Sequence, residues 1–308
     1  MKNTQNIAPA LNKYLPGLYL VDLDIPQLEG FREFISCWVY KSDEITFVVD
    51  PGPSSTIPVL IRCLETLQVA RLDYILLTHI HLDHCGGTGH LLKKYPHAKV
   101  NCHPRGIPHL VEPQKLWEGS LKVLGEIAEA YGPVKPIPQA NISFDKGISV
   151  NGKHIDITET PGHASHHICY QLDDLLFAAE VAGVSIPVAG QNYQRIATPP
   201  RFIYELYNNS LLKAAAIPAK YICFGHHGMR DDLQNVFNTA NEQLKLWMEI
   251  IQKHSAKGTH YQEQAVFEEL CDTDPALTLF GKMDRDIQCR EKYFCLNSIR
   301  GMYGYFNS

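Results

Sequence analysis

The sequence predicts a mixed α/β chain that ends in a helical appendage, and three observations carry that prediction. Between residues 18 and 224, short apolar runs of strand length alternate with segments whose apolar residues recur at helical spacing. Gly- and Pro-containing turns punctuate the alternation, as they do where elements of an α/β domain are joined. After His227-Gly228 the alternation stops and only helical spacing remains.

In order, strands are predicted at 18–22, 35–40 and 45–49, the last closing on Asp50-Pro51-Gly52, a turn signal. A helix follows over 57–67. The apolar strand 74–77 then delivers the chain into Thr78-His79-Ile80-His81-Leu82-Asp83-His84. Gly86-Gly87 permits close backbone packing before a helix through Leu91 and Leu92, which stops near Pro96, and 99–102 reads as the next strand. Residues 104–138 break the rhythm. Prolines bracket a helix-like centre at 116–131, read as an insertion forming a lid or pocket wall. Strands resume at 142–144, 148–150, 155–159, 167–172 and 175–178. A helix over 201–216 precedes a strand at 221–224, and 183–200 reads as a loop. Beyond it, Leu233, Val236, Phe237, Ala240, Leu244, Trp247, Ile250 and Ile251 mark a long amphipathic helix. Further helices are expected at 262–270, at 275–283 with Asp274 as N-cap, and at 289–306. The expected partition is a domain over 1–230 and a helical region over 231–308, the latter a surface for packing, pocket-building or homodimerisation.

At 308 residues the chain has ample length for a core, and its 20% charged content is that of an ordinary globular protein. A net charge of -5 supplies no electrostatic footprint for nucleic acid or anionic membrane, so neither is an expected partner. The stretch before residue 18 lacks an export signal, and no run has the length to span a bilayer. The nine cysteines are scattered without a CxxC pair, which fits reduced core residues and a cytoplasmic location. Cys85 adjoins the histidine motif and reads as a packing residue.

The chemistry concentrates in that motif. His79, His81, Asp83 and His84 are four metal-competent side chains within six positions. Residues 79 and 81 project the same way from an extended segment, whereas 83 and 84 fall where the chain turns helical. Three other strand ends offer donors: His163 after Thr160-Pro161-Gly162, Glu180 after the strand at 175–178, and His226 or His227 after the strand at 221–224. His166 and His167 read as neighbours of the site, His103 as a surface histidine, and Tyr193, Tyr204 and Tyr207 as core or surface residues.

Asp50-Pro-Gly, HxHxDH, Pro-Gly-His, an acid after a strand, and Gly-His, in that order over about residues 15–228, resemble the metallo-β-lactamase superfamily. The resemblance implies a four-layer αββα sandwich carrying two divalent metal ions, zinc foremost, with iron or manganese as alternatives. His79, His81 and His163 would hold the first ion, and Asp83, His84 and His226 the second. His226 is preferred to His227 because the family ligand follows the strand's closing glycine. Asp50 would support the site from behind. One departure stands out: the bridging Asp of the family is Glu180 here, in Phe177-Ala178-Ala179-Glu180, and its extra methylene requires the backbone to retreat.

The resemblance implies a binuclear hydrolase that attacks a small ester, thioester, lactone or amide with a metal-activated hydroxide, Asp83 orienting the nucleophile and handling its proton. Glyoxalase II-like thioesterases and lactonases are the nearest branches. Three alternatives stand beside it: an iron-dependent redox enzyme of the same fold resembling persulfide dioxygenases, a nuclease, and a non-catalytic binding module.

Overall fold

A computed structural model describes residues 10–256 and 261–307, so part of the amino-terminal stretch read for export signals lies outside the described residues. Two compact units emerge. One comprises the described residues up to Leu28 together with Arg32–Ile157; the other comprises Glu29–Phe31 and the described residues from Thr158 onward.

The first unit is built on a seven-stranded sheet whose spatial order follows the chain. Its strands are β1 (Leu11–Leu15), β2 (Leu18–Leu23), β3 (Ile35–Lys41), β4 (Thr46–Val49), β5 (Tyr74–Leu76), β6 (Lys99–Asn101) and β7 (Ile142–Ser143). Pairing is antiparallel from β1 to β4 and parallel from β4 to β7. Of the parallel strands, β4 and β5 are short and buried along their whole length, as strands covered on both faces must be, while β6 and β7 each expose one polar residue, Lys99 and Ser143. Between β4 and β5 runs α1 (Ile57–Thr66), which buries Ile57, Leu60, Cys63 and Leu64. After β5 come one helical turn, α2 (Leu82–Cys85), and α3 (Thr88–Lys94). A hairpin, β8 (Gly147–Val150) with the start of β9 (Lys153–Glu159), closes the unit.

The inserted segment between β6 and β7 holds three short helices: α4 (Ile107–Val111), α5 (Gln114–Leu124) and α6 (Glu126–Tyr131). The continuous helix expected over 116–131 is therefore broken. Gly125 adopts φ 54°, ψ -123°, a conformation outside the helical region that only glycine enters cheaply.

In the second unit, strands β15 (Met229–Arg230), β14 (Tyr221–Phe224), β11 (Leu175–Ala179) and β10 (Ile168–Leu172) lie side by side in that order. The segment 183–200, expected to be a loop, contains a regular hairpin, β12 (Val184–Val188) and β13 (Gln191–Arg195). Its polar sequence at 191–194 hid the strand, yet Tyr193 and Gln194 are buried. The helix expected from 201 starts later, as α7 (Tyr204–Ala215), because Phe202 drops into the core ahead of it. Then follow α8 (Leu233–Ser255), α9 (Glu263–Thr273) and α10 (Arg285–Phe306).

Helix α8 buries the apolar stripe read from the sequence from Val236 to Ile251, whereas Leu233 in its first turn is only partly buried. Those side chains join Leu176, Phe224, Tyr207, Ile299 and Met302 in a single apolar core, so the C-terminal helices pack on the second unit, the first of the roles expected of them. The helix expected at 275–283 is two 3-10 turns. Asp274 does cap the first, accepting from Ala276 N. However, Leu277, Leu279 and Met283 are all buried, a set one α-helical face does not collect. Within the described residues no helix is long and apolar enough to cross a membrane.

Two predictions follow from this packing. Alanine in place of an interior helical glycine normally stabilises by about 1 kcal/mol. At Gly301, however, a Cβ would collide with the Pro199 carbonyl oxygen. Gly301→Ala should therefore lower stability by roughly 1–3 kcal/mol in denaturant melts. The second concerns Asp22, whose carboxyl is raised from 3.8 to about 7, first by burial and then by the nearby Glu33 charge. The folded protein keeps that proton while the unfolded chain releases it, so stability falls as pH climbs from the unfolded to the folded value. Asp22→Asn should match wild type near pH 4 and exceed it at pH 8, read from denaturant midpoints.

Candidate metal centre

The seven ligand candidates fall four in the first unit and three in the second. In the first, β4 is followed directly by Asp50, which turns into the left-handed region at φ 52°, and Gly52 follows at φ 82°. Gly52 N donates to His84 O (3.1 Å) and Gly87 N to Gly52 O (2.8 Å), which fastens the turn to the helical turn of the motif. A side chain at 87 would strike Ile57 and the Gly52 carbonyl, so that approach requires glycine.

The Asp50 carboxylate, 1% exposed, then organises the motif. Its Oδ1 accepts from Thr78 N (2.9 Å), and its Oδ2 accepts from Thr78 Oγ1 (2.6 Å) and from His84 Nδ1 (3.1 Å). Because the Thr78 hydroxyl gives its proton to Asp50, its oxygen accepts from His79 Nδ1 at 3.0 Å. Both buried histidines thereby carry the proton on Nδ1 and present a lone pair on Nε2. His79 Nε2 lies 2.9 Å from His81 Nδ1, and the His79 ring centroid is 4.5 Å from that of His81 and 4.3 Å from that of His84. Asp83 Oδ2 stands 3.6 Å from His84 Nε2. The structure thus gathers His79, His81, Asp83 and His84 at one end of β5.

The second unit arranges its three in a different way. The β11–β14 register slips between Phe177 and Ala179, and Ala179 sits at φ 43°. This bulge with its left-handed residue bends the end of β11 just before Glu180. Glu180 and His226 are both buried, and Oε1 of the former accepts from Nε2 of the latter at 2.8 Å. His163 Nδ1 donates to the Ala197 carbonyl at 2.9 Å, which again leaves the lone pair on Nε2. His167 is buried with Nδ1 2.8 Å from Thr160 Oγ1.

His227 takes a left-handed conformation at φ 61° and turns the other way, its Nε2 accepting from Arg290 Nη2 at 3.2 Å. Desolvation, with the Arg290 charge next, holds this imidazole well below its ordinary value and therefore neutral. Burial pushes the Cys85 thiol far up, consistent with a packing residue. Tyr193 and Tyr207 are core residues. His103, expected at the surface, is only 7% exposed: its Nδ1 accepts from Arg105 N and its ring lies against Phe144.

Some functional neighbours escaped the sequence reading. Thr78 fixes the His79 tautomer; it was visible inside the motif, but no spacing rule marked it. The Ala197 carbonyl orients His163 through backbone alone, which leaves no trace in side-chain identity. The donor set suits a divalent metal. Three histidines have Nδ1 occupied by oxygen acceptors and Nε2 presented, and the 2.9 Å between His79 Nε2 and His81 Nδ1 approaches the spacing of about 3.3 Å between two nitrogens on one tetrahedral zinc.

Residues 30–226 match the family model described as the metallo-beta-lactamase superfamily, and the chain belongs to that superfamily. The expected fold class is the one found: the α/β fold of that family, with C-terminal helices present. Among its relatives is the metallo-beta-lactamase fold-containing protein ST1585 of Sulfurisphaera tokodaii, 31% identical over 65% of this chain and 75% of that protein. The crystal structure of ST1585 aligns with 75% of this chain and 86% of its own at a TM-score of 0.62. The hydroxyacylglutathione hydrolase of Aeromonas salmonicida is 33% identical over 46% of this chain, and the match spans only 44% of that enzyme. A metallo-beta-lactamase family protein of Thermus thermophilus, TTHA1429, shares the fold over 95% of this chain and 94% of its own, with a TM-score of 0.67 and 19% identity.

The bulge makes a prediction of its own. A non-glycine residue in the left-handed region costs about 1 kcal/mol, partly offset by the chain entropy that glycine loses on folding. Ala179→Gly should raise stability by about 0.5 kcal/mol, measured by chemical denaturation.

Proposed function

We propose that the chain is a metal-dependent hydrolase of small thioesters or esters. The observation that carries this reading is the pair His79 Nε2 and His81 Nδ1, 2.9 Å apart, in which His79 is oriented through Thr78 by the buried carboxylate of Asp50. Following the ligand order of the family, His79, His81 and His163 would hold one divalent ion and Asp83, His84 and His226 a second, with Glu180 as a further carboxylate ligand. Zinc is the first choice for this nitrogen and oxygen donor set. When bound, such ions supply a nucleophile from water at neutral pH and polarise the carbonyl under attack.

The protein's own part is to hold and move protons. Asp83 is half-buried and only one helical turn beyond the histidine pair, placed to orient a water and take its proton. Asp50 and Thr78 keep the lone pairs of His79 and His84 aimed throughout. Buried Cys85, its thiol far above neutrality, takes no part as a nucleophile. Relatives named hydroxyacylglutathione hydrolase favour a thioester as the first substrate to try.

Metal analysis of the purified protein should return about two equivalents of zinc or manganese per chain, together with hydrolysis of a hydroxyacyl glutathione thioester. One equivalent of iron with oxygen consumption would replace this reading with the redox one. His81 is exposed, so His81→Ala should leave the melting temperature nearly unchanged while turnover falls by about a thousandfold or more. Asp50→Asn should weaken metal affinity by about 10- to 100-fold, read by competition with a chromogenic chelator.

A further inference from the structure

The second unit buries three ionised side chains for which the hydrolytic reading has no use. Arg195 closes β13, while Arg290 and Glu291 are consecutive on α10; they are 3%, 3% and 0% exposed. Glu291 Oε2 accepts from Arg195 Nε, and Glu291 Oε1 accepts from Arg290 Nε at 3.1 Å. Arg290 completes its fork on the Gly30 carbonyl and on His227 Nε2. Arg195 does not. Among the described residues its guanidinium makes the Nε bond to Glu291 and lies 5.3 Å from the Phe294 ring centroid, and its two Nη groups donate no hydrogen bond. Polar atoms that are sealed without a partner do occur, such as Gln243 Oε1 and Tyr261 Oη, and the Arg195 Nη atoms are not among them. The little surface Arg195 keeps therefore lies at its Nη end.

The charges do not balance. Two guanidiniums share one carboxylate, and His227 adds none because it accepts from Arg290. Arginine does not shed its proton in proteins, so the cluster stays at +1. Burial holds the nearby Tyr193 and Cys295 neutral as well. Buried charges are ordinarily paired, and a pair of free Nη groups fits the two oxygens of a carboxylate in a fork. The cluster also shares backbone with the ligand candidates. Ala197, two residues past Arg195, holds His163, and Arg290 holds the residue that follows His226.

We propose that Arg195 binds a carboxylate of the substrate, which neutralises the Arg195–Glu291–Arg290 cluster and selects esters or thioesters that bear a free carboxyl group. The word substrate rests on the hydrolase reading; the carboxylate site itself does not.

The test has two arms. In the first, the purified protein is melted while sodium acetate replaces sodium chloride at constant ionic strength. Wild type should show a saturable rise in melting temperature that disappears in Arg195→Gln. Should that variant not fold, Arg195→Lys keeps the charge and loses the fork, and about tenfold weaker acetate binding is expected. In the second, kcat/KM is compared for two thioesters that differ only as carboxylate and carboxamide. Wild type should prefer the carboxylate, and Arg195→Gln or Arg195→Lys should shrink that preference, by about 100-fold for glutamine. Acetate stabilisation equal in wild type and variants overturns the proposal, as does an unchanged preference. An Arg195-dependent acetate response without hydrolysis of either thioester upholds the carboxylate site, with a free anion as its occupant, and sinks the hydrolase reading instead. Hydrolysis of both without preference or acetate response does the reverse.

Discussion

The hydrogen-bonded carboxylate of Asp50 is the constraint on which the first half of the centre depends. It is buried, and it accepts from Thr78 N, from Thr78 Oγ1 and from His84 Nδ1. A carboxylate taken out of water is expensive unless its oxygens are satisfied, and these three donors supply what solvent would have given. The satisfaction runs both ways. By absorbing the Thr78 and His84 protons, Asp50 fixes which nitrogen of His79 and His84 is bare. The turn that brings it there is in turn held by Gly52 and Gly87, through the bonds of Gly52 N and Gly87 N.

The second unit reaches a similar result by distortion. The slipped register of β11, the left-handed Ala179 and the left-handed His227 are local departures from ideal strand geometry, and they cluster at two strand ends that carry proposed ligands. Strain of this kind persists where the surrounding structure over-determines it. Here the surroundings are firm: Phe177, Ala178 and Phe224 are at most 1% exposed and packed into the core. Gly183 N also clamps the turn after Glu180 by donating to the Glu180 carbonyl.

The C-terminal helices belong to this account. Helices α8 and α10 contribute Leu244, Trp247, Ile299 and Met302 to the apolar core, and α10 adds Arg290 and Glu291 beneath the strand-end loops. A buried ion cluster is not in itself a strong source of stability, since desolvation offsets most of the attraction. Its presence under two loops that carry histidines is easier to understand as positioning and recognition than as reinforcement. The same helix holds Gly301 against Pro199, close to the Ala197 carbonyl that orients His163.

Much of this was determined by the sequence alone. The strands expected at 18–22, 35–40, 45–49 and 221–224 and the helix marked from Leu233 to Ile251 form within a few residues of those bounds, because burial on one or two faces imposes such patterns directly. HxHxDH announces its chemistry because neighbouring residues of one short segment must share one site. The tertiary structure decided what depends on distant or backbone groups. Nothing in the polar run Gln191–Arg195 foretold a hairpin whose Tyr193 and Gln194 are buried, and Gly125 broke a helix that periodicity had joined. Thr78 and the Ala197 carbonyl act through hydrogen bonds with no spacing rule, and the different partners of His226 and His227, Glu180 for one and Arg290 for the other, appear only in the folded chain. The pairing of Arg195 with Glu291, 96 positions apart, exists only once β13 and α10 have packed. Local patterns encode what neighbours along the chain must do; long-range charge compensation and backbone acceptors are set by the folded geometry.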